Sequence, residues 1–201
     1  MRPGRFWEIA VLNLKVEMLQ KIAEIDECVS RRLYSHRLSE KADRWLRRYT
    51  RLGDGYVWGV IVLWILWSMG WKPLLGVLLQ VFPSLVMSLT LYWLVKLSVK
   101  RRRPFEVIAE FQARVPPLDK YSFPSGHTMN NLAIATTLLL SVPAAGLVMM
   151  ALPLSWGFLR VYFGVHWLSD VVGGFLLGIV SFVLGHWIWV VGLSPLVSGY
   201  L

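Results

Sequence analysis

The sequence predicts an all-α integral membrane protein: a transmembrane helix bundle of about five spans, preceded by an amphipathic, interfacial helical segment. Three observations lead there. Apolar residues gather in five blocks, and a block of about 20 such residues is what crosses a bilayer. Hydrophobic residues make up 56% of the 201, with a mean hydropathy of +0.53, above the roughly 45–50% apolar content of soluble domains. Ahead of the blocks, apolar residues recur at steps of three or four, the period of a one-sided helix.

Residues 1–55 form that first region, and residues 56–201 the membrane core. Trp7, Val11, Leu14, Met18, Ile22, Ile25 and Val29 make the stripe, with Glu8, Lys15, Glu17, Lys21 and Glu24 off it. Such a helix is too charged to span, so it belongs on the membrane surface or against the bundle. A second, basic helix is expected over Ser39 to Thr50, and the glycines of RLGDG (Arg51–Gly55) break it.

The five apolar blocks are Tyr56–Trp71, Leu74–Ser98 with Pro83 as a kink, Thr128–Val142, Ala144–Leu159 with Pro153, and Leu168–Val191. Several are shorter than about 20 residues. They count as spans because their ends can stop at headgroup level. Five crossings put the N-terminus, the 99–127 loop and the 160–167 loop on one face. Arg2 through Arg51 carry 12 of the 21 Lys and Arg, while the opposite face offers only Lys72. The positive-inside rule then makes the first face cytoplasmic.

The net charge of +9 calls for an anionic partner. Cations set beside apolar spans suit anionic lipid headgroups rather than nucleic acid. The single Cys28 excludes an intrachain disulfide and a CxxC metal site. The Met1 end lacks an apolar core and a small-residue cleavage site, so no signal peptide is expected.

Three clusters fall on the cation-rich face. The first is KLSVKRRRP, Lys96 to Pro104, in which Lys96 and Arg103 are seven residues apart, two turns on one side of a helix that ends at Pro104. Lys100, Arg101 and Arg102 fill the rest. By itself such a run is more often a stop-transfer signal. The second is PSGH, Pro124 to His127: Ser125 is a natural N-cap, Gly126 allows close backbone approach, and the free N–H groups of a helix start hold anions, phosphate above all. Alone it is equally a plain capped helix. The third is RVYFGVHWLSD, Arg160 to Asp170. His166 and Asp170, four apart, share a helical face if the fifth block turns helical near His166, and there the carboxylate would fix the imidazole tautomer and strengthen the other nitrogen as nucleophile or base. Two histidines, a carboxylate, three cations and a helix N-terminus on one face are what in-line displacement at phosphorus needs. His36 and His186 receive no role.

In order, K-x6-RP, PSGH and R-x5-H-x3-D resemble the motifs of the type 2 phosphatidic acid phosphatase superfamily of membrane lipid phosphatases, over about 75 residues. The DKYSFPSGH context further resembles the branch acting on polyisoprenoid and presqualene diphosphates. The resemblance implies that His166 is the nucleophile and forms a phosphohistidine, that Asp170 orients it, and that His127 protonates the leaving group. It implies that Lys96, Arg103, Arg160, Ser125 and the Gly126 N–H bind phosphate, with no metal and no cofactor. The substrate would be a lipid phosphate or diphosphate: an isoprenyl diphosphate, phosphatidic acid or phosphatidylglycerol phosphate. Leu159 stands where the family usually has serine, and five spans replace the common six.

Two rivals keep the fold. A lipid phosphotransferase would use the same site with an acceptor other than water. A non-enzymatic scaffold or transporter would have lost charged motif residues, and none is missing.

Overall fold

The computed structural model describes residues 3–197, with side chains from Val11 to Leu196. Among these residues all regular structure is helical. The order is α1 (Pro3–Ser35), α2 (Glu40–Arg51), a 3-10 turn (Leu52–Asp54), α3 (Tyr56–Met69), α4 (Trp71–Val99), the short α5 (Pro104–Val107), α6 (Gly126–Ser141), α7 (Pro143–Tyr162), α8 (Leu168–Ile188), a π turn (Trp189–Leu193) and the short α9 (Ser194–Val197).

Length and composition explain which helices can cross a bilayer. Three apolar stretches are long enough: Trp71–Val107, Pro143–Tyr162 and Leu168–Leu196. A fourth counts if Glu40–Asp54 and Tyr56–Met69, bent by 63° at Gly55, act as one broken span. The expected five are therefore not reached by this measure, because α3 has 14 residues and α6 has 16, short of the 20 or so that span. α3 turns Leu63 and Trp67 outward, while α6 is the inner helix of the bundle.

α6 packs against α4, α7 and α8. Surrounded on three sides, it carries polar residues that tie helices together: Thr137 Oγ1 donates to Ser84 Oγ at 2.9 Å, and Ser88 Oγ donates to Asn130 Oδ1 at 2.7 Å. Trp58 Nε1 on α3 donates to Asn131 Oδ1 at 2.6 Å, and Asn131 Nδ2 donates to the Gly53 carbonyl at 2.9 Å. Such bonds hold apolar helices in register where the hydrophobic effect cannot. Close approach comes from small residues on α8. A Cβ on Gly174 would lie 2.7 Å from the Ser125 carbonyl oxygen, and one on Gly178 2.8 Å from that of Met129. Ile65, Leu74, Val77, Leu138, Met149 and Trp156 fill the core between α3, α4, α6 and α7.

The N-terminal segment is helical, with Ser39 capping α2 by accepting from Ala42 N–H at 3.3 Å. The side chain of Trp7 lies outside the described residues. From Val11 to Ile25 the apolar stripe of α1 is exposed, and burial begins at Asp26. Farther on, Tyr34 stacks on Phe111 with ring centroids 3.9 Å apart, in a cluster with Ile108 and Trp167. The C-terminal part of α1 thus packs on the loops at one end of the bundle, the end where the three sequence clusters meet.

Candidate active site

The first cluster is built differently from the sequence expectation. α4 stops at Val99, and Lys100 takes the left-handed conformation (φ 50°) that ends it. Arg103 N-caps α5, and Pro104 opens that helix, where a missing N–H costs nothing. Lys96 and Arg103 are therefore not two turns along one helix; a bend between them brings both onto one acceptor. Lys96 Nζ lies 2.7 Å from Asp119 Oδ1, and Arg103 Nη2 lies 2.9 Å from the same oxygen. Tyr92 donates its hydroxyl to Asp119 Oδ2 and accepts from Lys96 Nζ at 2.7 Å. Burial would raise the Asp119 carboxyl, but Lys96, Tyr92 and Arg103 together hold it below the usual carboxylate range.

The second cluster opens α6. Ser125 is the residue before the helix, but its hydroxyl makes no cap; it accepts from Thr128 Oγ1 at 3.4 Å, while its N–H donates to the Asp170 carbonyl at 3.0 Å. With no side-chain cap, the first-turn N–H groups stay available. Gly126 is required by a side chain: a Cβ there would meet the Tyr92 ring at 2.9 Å. His127 Nε2 lies 2.8 Å from Asp54 Oδ1, an ion-pair distance out of line for a hydrogen bond.

The third cluster closes the site. α7 ends in a left-handed turn at Gly164 (φ 73°), and the N–H groups of Val165 and His166 both return to the Arg160 carbonyl, at 3.1 and 3.2 Å. α8 begins at Leu168, so His166 precedes it. Asp170 Oδ2 accepts from the Trp167 N–H at 2.8 Å and stands 3.3 Å from His166 Nδ1. His166 Nε2 is 3.4 Å from Arg103 Nη1. The imidazole thus spans from carboxylate to cation, which favours a proton on Nδ1 and a free pair on Nε2. Burial, then Arg103, Arg160, Lys96 and His127, hold its pKa well below the ordinary histidine value.

Arg160 is 4% exposed and donates one hydrogen bond, from Nη2 to the Pro116 carbonyl at 3.3 Å. Its Nε is buried without a partner, and among the described residues it forms no ion pair. A buried unpaired guanidinium is costly unless an anion meets it. It faces a cavity of about 20 Å³ lined by Tyr92, Arg103, Asp119, His127 and His166, with Gly126 and Leu118. The structure thus brings Arg103, Arg160, Gly126, His127 and His166 onto one cavity. Lys96 reaches it only through Asp119 and Tyr92, Asp170 acts from behind His166, and Ser125 stands outside the lining.

The same wall continues into a cleft of about 560 Å³ between α3, α4 and α6. It shares Tyr92, Leu118, Asp119, Gly126 and His127 with the small cavity and runs past Leu89, Val81 and Val77 to Leu74. Leu78, Leu89 and Trp93 line it while remaining exposed, so it opens sideways along α4. Tyr92 to Leu74 is 18 residues of helix, about 27 Å at 1.5 Å per residue.

Sequence reasoning passed over four residues of this end. Asp119 stood in the quoted DKYSFPSGH run without a role, and Asp54 in a stretch read as a helix break. Arg101 looked like filler. Asp26 carried a usable signal, a charge among the apolar positions Ile22, Ile25 and Val29.

Fold and site together define a helical membrane bundle whose buried cations and His–Asp pair close the head of an apolar cleft. The chain belongs to the PAP2 superfamily, whose family model matches residues 69–192 and so takes in all three clusters. It is similar to an undecaprenyl-diphosphatase of Sulfolobus acidocaldarius, 33% identical over 134 residues, covering 64% of this chain and 62% of that protein. It is 35% identical over 101 residues to phosphatidylglycerophosphatase B of Bacillus subtilis, covering 39% and 48%. The chain thus spans less than two thirds of the length of these curated relatives. Its fold is similar to the crystal structure of a transmembrane PAP2 type phosphatidylglycerolphosphate phosphatase from Bacillus subtilis, with a TM-score of 0.61, 25% identity, and coverage of 87% of this chain and 92% of that one.

Proposed function

We propose that the protein is a membrane lipid phosphatase that hydrolyses a phosphate or diphosphate headgroup through a phosphohistidine. The observation that carries this reading is the buried, unpaired Arg160 facing the same cavity as His166, at the head of an apolar cleft. Arg160, Arg103 and the α6 N-terminus would hold the headgroup oxygens. His166 Nε2 attacks phosphorus while Asp170 holds the Nδ1 proton, so a P–N bond forms as the P–O bond to the lipid breaks. The leaving oxygen takes its proton from His127, whose Nε2 stands 2.8 Å from Asp54 Oδ1. Water then attacks the phosphohistidine, gives its proton back to His127 and releases inorganic phosphate.

The cleft is apolar and long, which suits an isoprenyl chain attached to a diphosphate. The undecaprenyl-diphosphatase similarity supports the same class. The charge bias of residues 2–51 supports a cytoplasmic site. Cys28 is exposed and unique, so an impermeant maleimide applied to sealed oriented vesicles reports the side of α1 directly.

The test is phosphate release by detergent-purified protein in EDTA from phosphatidic acid, phosphatidylglycerol phosphate, farnesyl diphosphate and undecaprenyl diphosphate, beside His166→Ala. The expected result is release from the isoprenyl diphosphates, lost in the variant. Full turnover by His166→Ala would refute the mechanism.

A further inference from the structure

Arg101 lies in this bend but outside the lining of the cavity. Its Nη1 donates to Asp170 Oδ1 at 2.8 Å and to Ser169 Oγ at 2.6 Å, and its Nη2 donates to Asp26 Oδ2 at 2.6 Å. Asp26 lies on α1 and is 1% exposed. Its two oxygens also take both hydrogens of Ser169: Oδ1 accepts from the backbone N–H at 2.8 Å, and Oδ2 from the hydroxyl at 2.5 Å. The guanidinium lies 5.4 Å from the centre of the Trp167 ring, and the backbone N–H of Trp167 holds the other Asp170 oxygen.

The division of labour at Asp170 is therefore complete. Oδ2 serves His166 and the Trp167 backbone N–H, and Oδ1 serves Arg101. A carboxylate held at both oxygens keeps its plane, and that plane aims the imidazole. Arg101, in turn, is bidentate between two buried carboxylates, and only its fork geometry can bridge them. Remove Asp26 and Arg101 loses its anchor, while the start of α8 loses the bonds that fix Ser169.

We propose that Asp26, acting through Arg101 and Ser169, is a positioning residue for the His166–Asp170 pair. α1, which lies outside the matched residues 69–192, is then a working part of the site and not only a membrane attachment. This rests on the phosphatase reading above.

The experiment measures steady-state hydrolysis of farnesyl diphosphate, with inhibition by inorganic phosphate, in full-length wild type, Asp26→Asn, Asp26→Ala, Arg101→Gln and Asp26→Ala/Arg101→Gln. Asp26→Asn keeps the side-chain volume and serves should the alanine variant fail to fold. Misplacement by about 1 Å can lower a rate about a hundredfold. The expected result is a kcat lowered about tenfold to a hundredfold in Asp26→Asn, with KM and the phosphate inhibition constant within about threefold, because the phosphate-facing cations are untouched. The double variant should be no slower than Arg101→Gln, since both act on one path. An unchanged kcat in folded Asp26→Asn overturns the proposal. So does a loss in which KM and phosphate inhibition worsen in step with kcat, which marks general distortion. No turnover by wild type on any of the four lipids named above sinks the phosphatase reading itself, and the positioning role with it.

Discussion

The Asp119 carboxylate meets the Lys96 ammonium at 2.7 Å, through the oxygen that Arg103 also holds. An anionic headgroup entering the cavity seeks the same cations. Asp119→Asn should therefore lower the inhibition constant for inorganic phosphate by roughly tenfold, the worth of about 1.4 kcal/mol. It should also lower Tm, because two buried cations lose their counter-charge. Added phosphate should then raise Tm more in the variant than in wild type. Equal shifts in a thermal scan would count against this competition.

His166 sets a pH dependence of stability. Its folded pKa lies well below the ordinary value of about 6.5, so between the two the unfolded chain binds one more proton than the folded one. Stability from this group is complete above pH 6.5 and falls as the pH drops toward the folded pKa, by up to about 1.4 kcal/mol per unit. His166→Gln should flatten that slope in denaturation runs between pH 7 and 5. An identical slope would contradict it.

Arg160 opposes stability to function. Arg160→Met keeps most of the volume and removes a buried charge without a partner. Tm should rise by a few degrees, while kcat/KM falls by about a hundredfold or more, as when one transition-state donor is lost. A fall in both would mean that the guanidinium is structural.

Gly174 lies against backbone atoms of Ser125, which cannot swing aside as a side chain could. Gly174→Ala should cost about 1–3 kcal/mol, the usual range for overpacking, and loosen the Ser125–Asp170 contact. Parallel loss of Tm and kcat is expected; a neutral substitution would show that α6 and α8 slide freely.

Val81 lines the cleft 11 residues from Tyr92, about 16 Å along α4. Val81→Trp should lower kcat/KM for undecaprenyl diphosphate more than for farnesyl diphosphate, whose chain ends sooner. Equal effects on both would place the tail elsewhere.

That Arg103, His127, Arg160 and His166 come to one end was legible because their motifs fall at the ends of apolar blocks. PSGH does open α6, but Ser125 makes no side-chain cap, and Asp170 does meet His166, but from a helix that begins only at Leu168. The Lys96–Arg103 relation was legible in identity but not in form, since nothing in KLSVKRRRP marks Lys100 as the residue that leaves the helix. Asp119, Asp54 and Asp26 were not legible because each reaches the site from another segment, and carboxylates in polar stretches look solvated until a partner is placed against them. α6 shows the same limit in the fold: a 16-residue block with Thr and Asn inside reads as a short span, and only its neighbours explain why it can be short.

The sideways opening at Leu78, Leu89 and Trp93 has a kinetic consequence. A molecule entering there arrives from the plane of the bilayer and never passes through water. Its effective concentration is a mole fraction in a two-dimensional solvent. Diluting a fixed amount of lipid substrate with detergent or inert lipid should slow the enzyme at constant bulk concentration, whereas enlarging the aqueous volume should leave the rate unchanged.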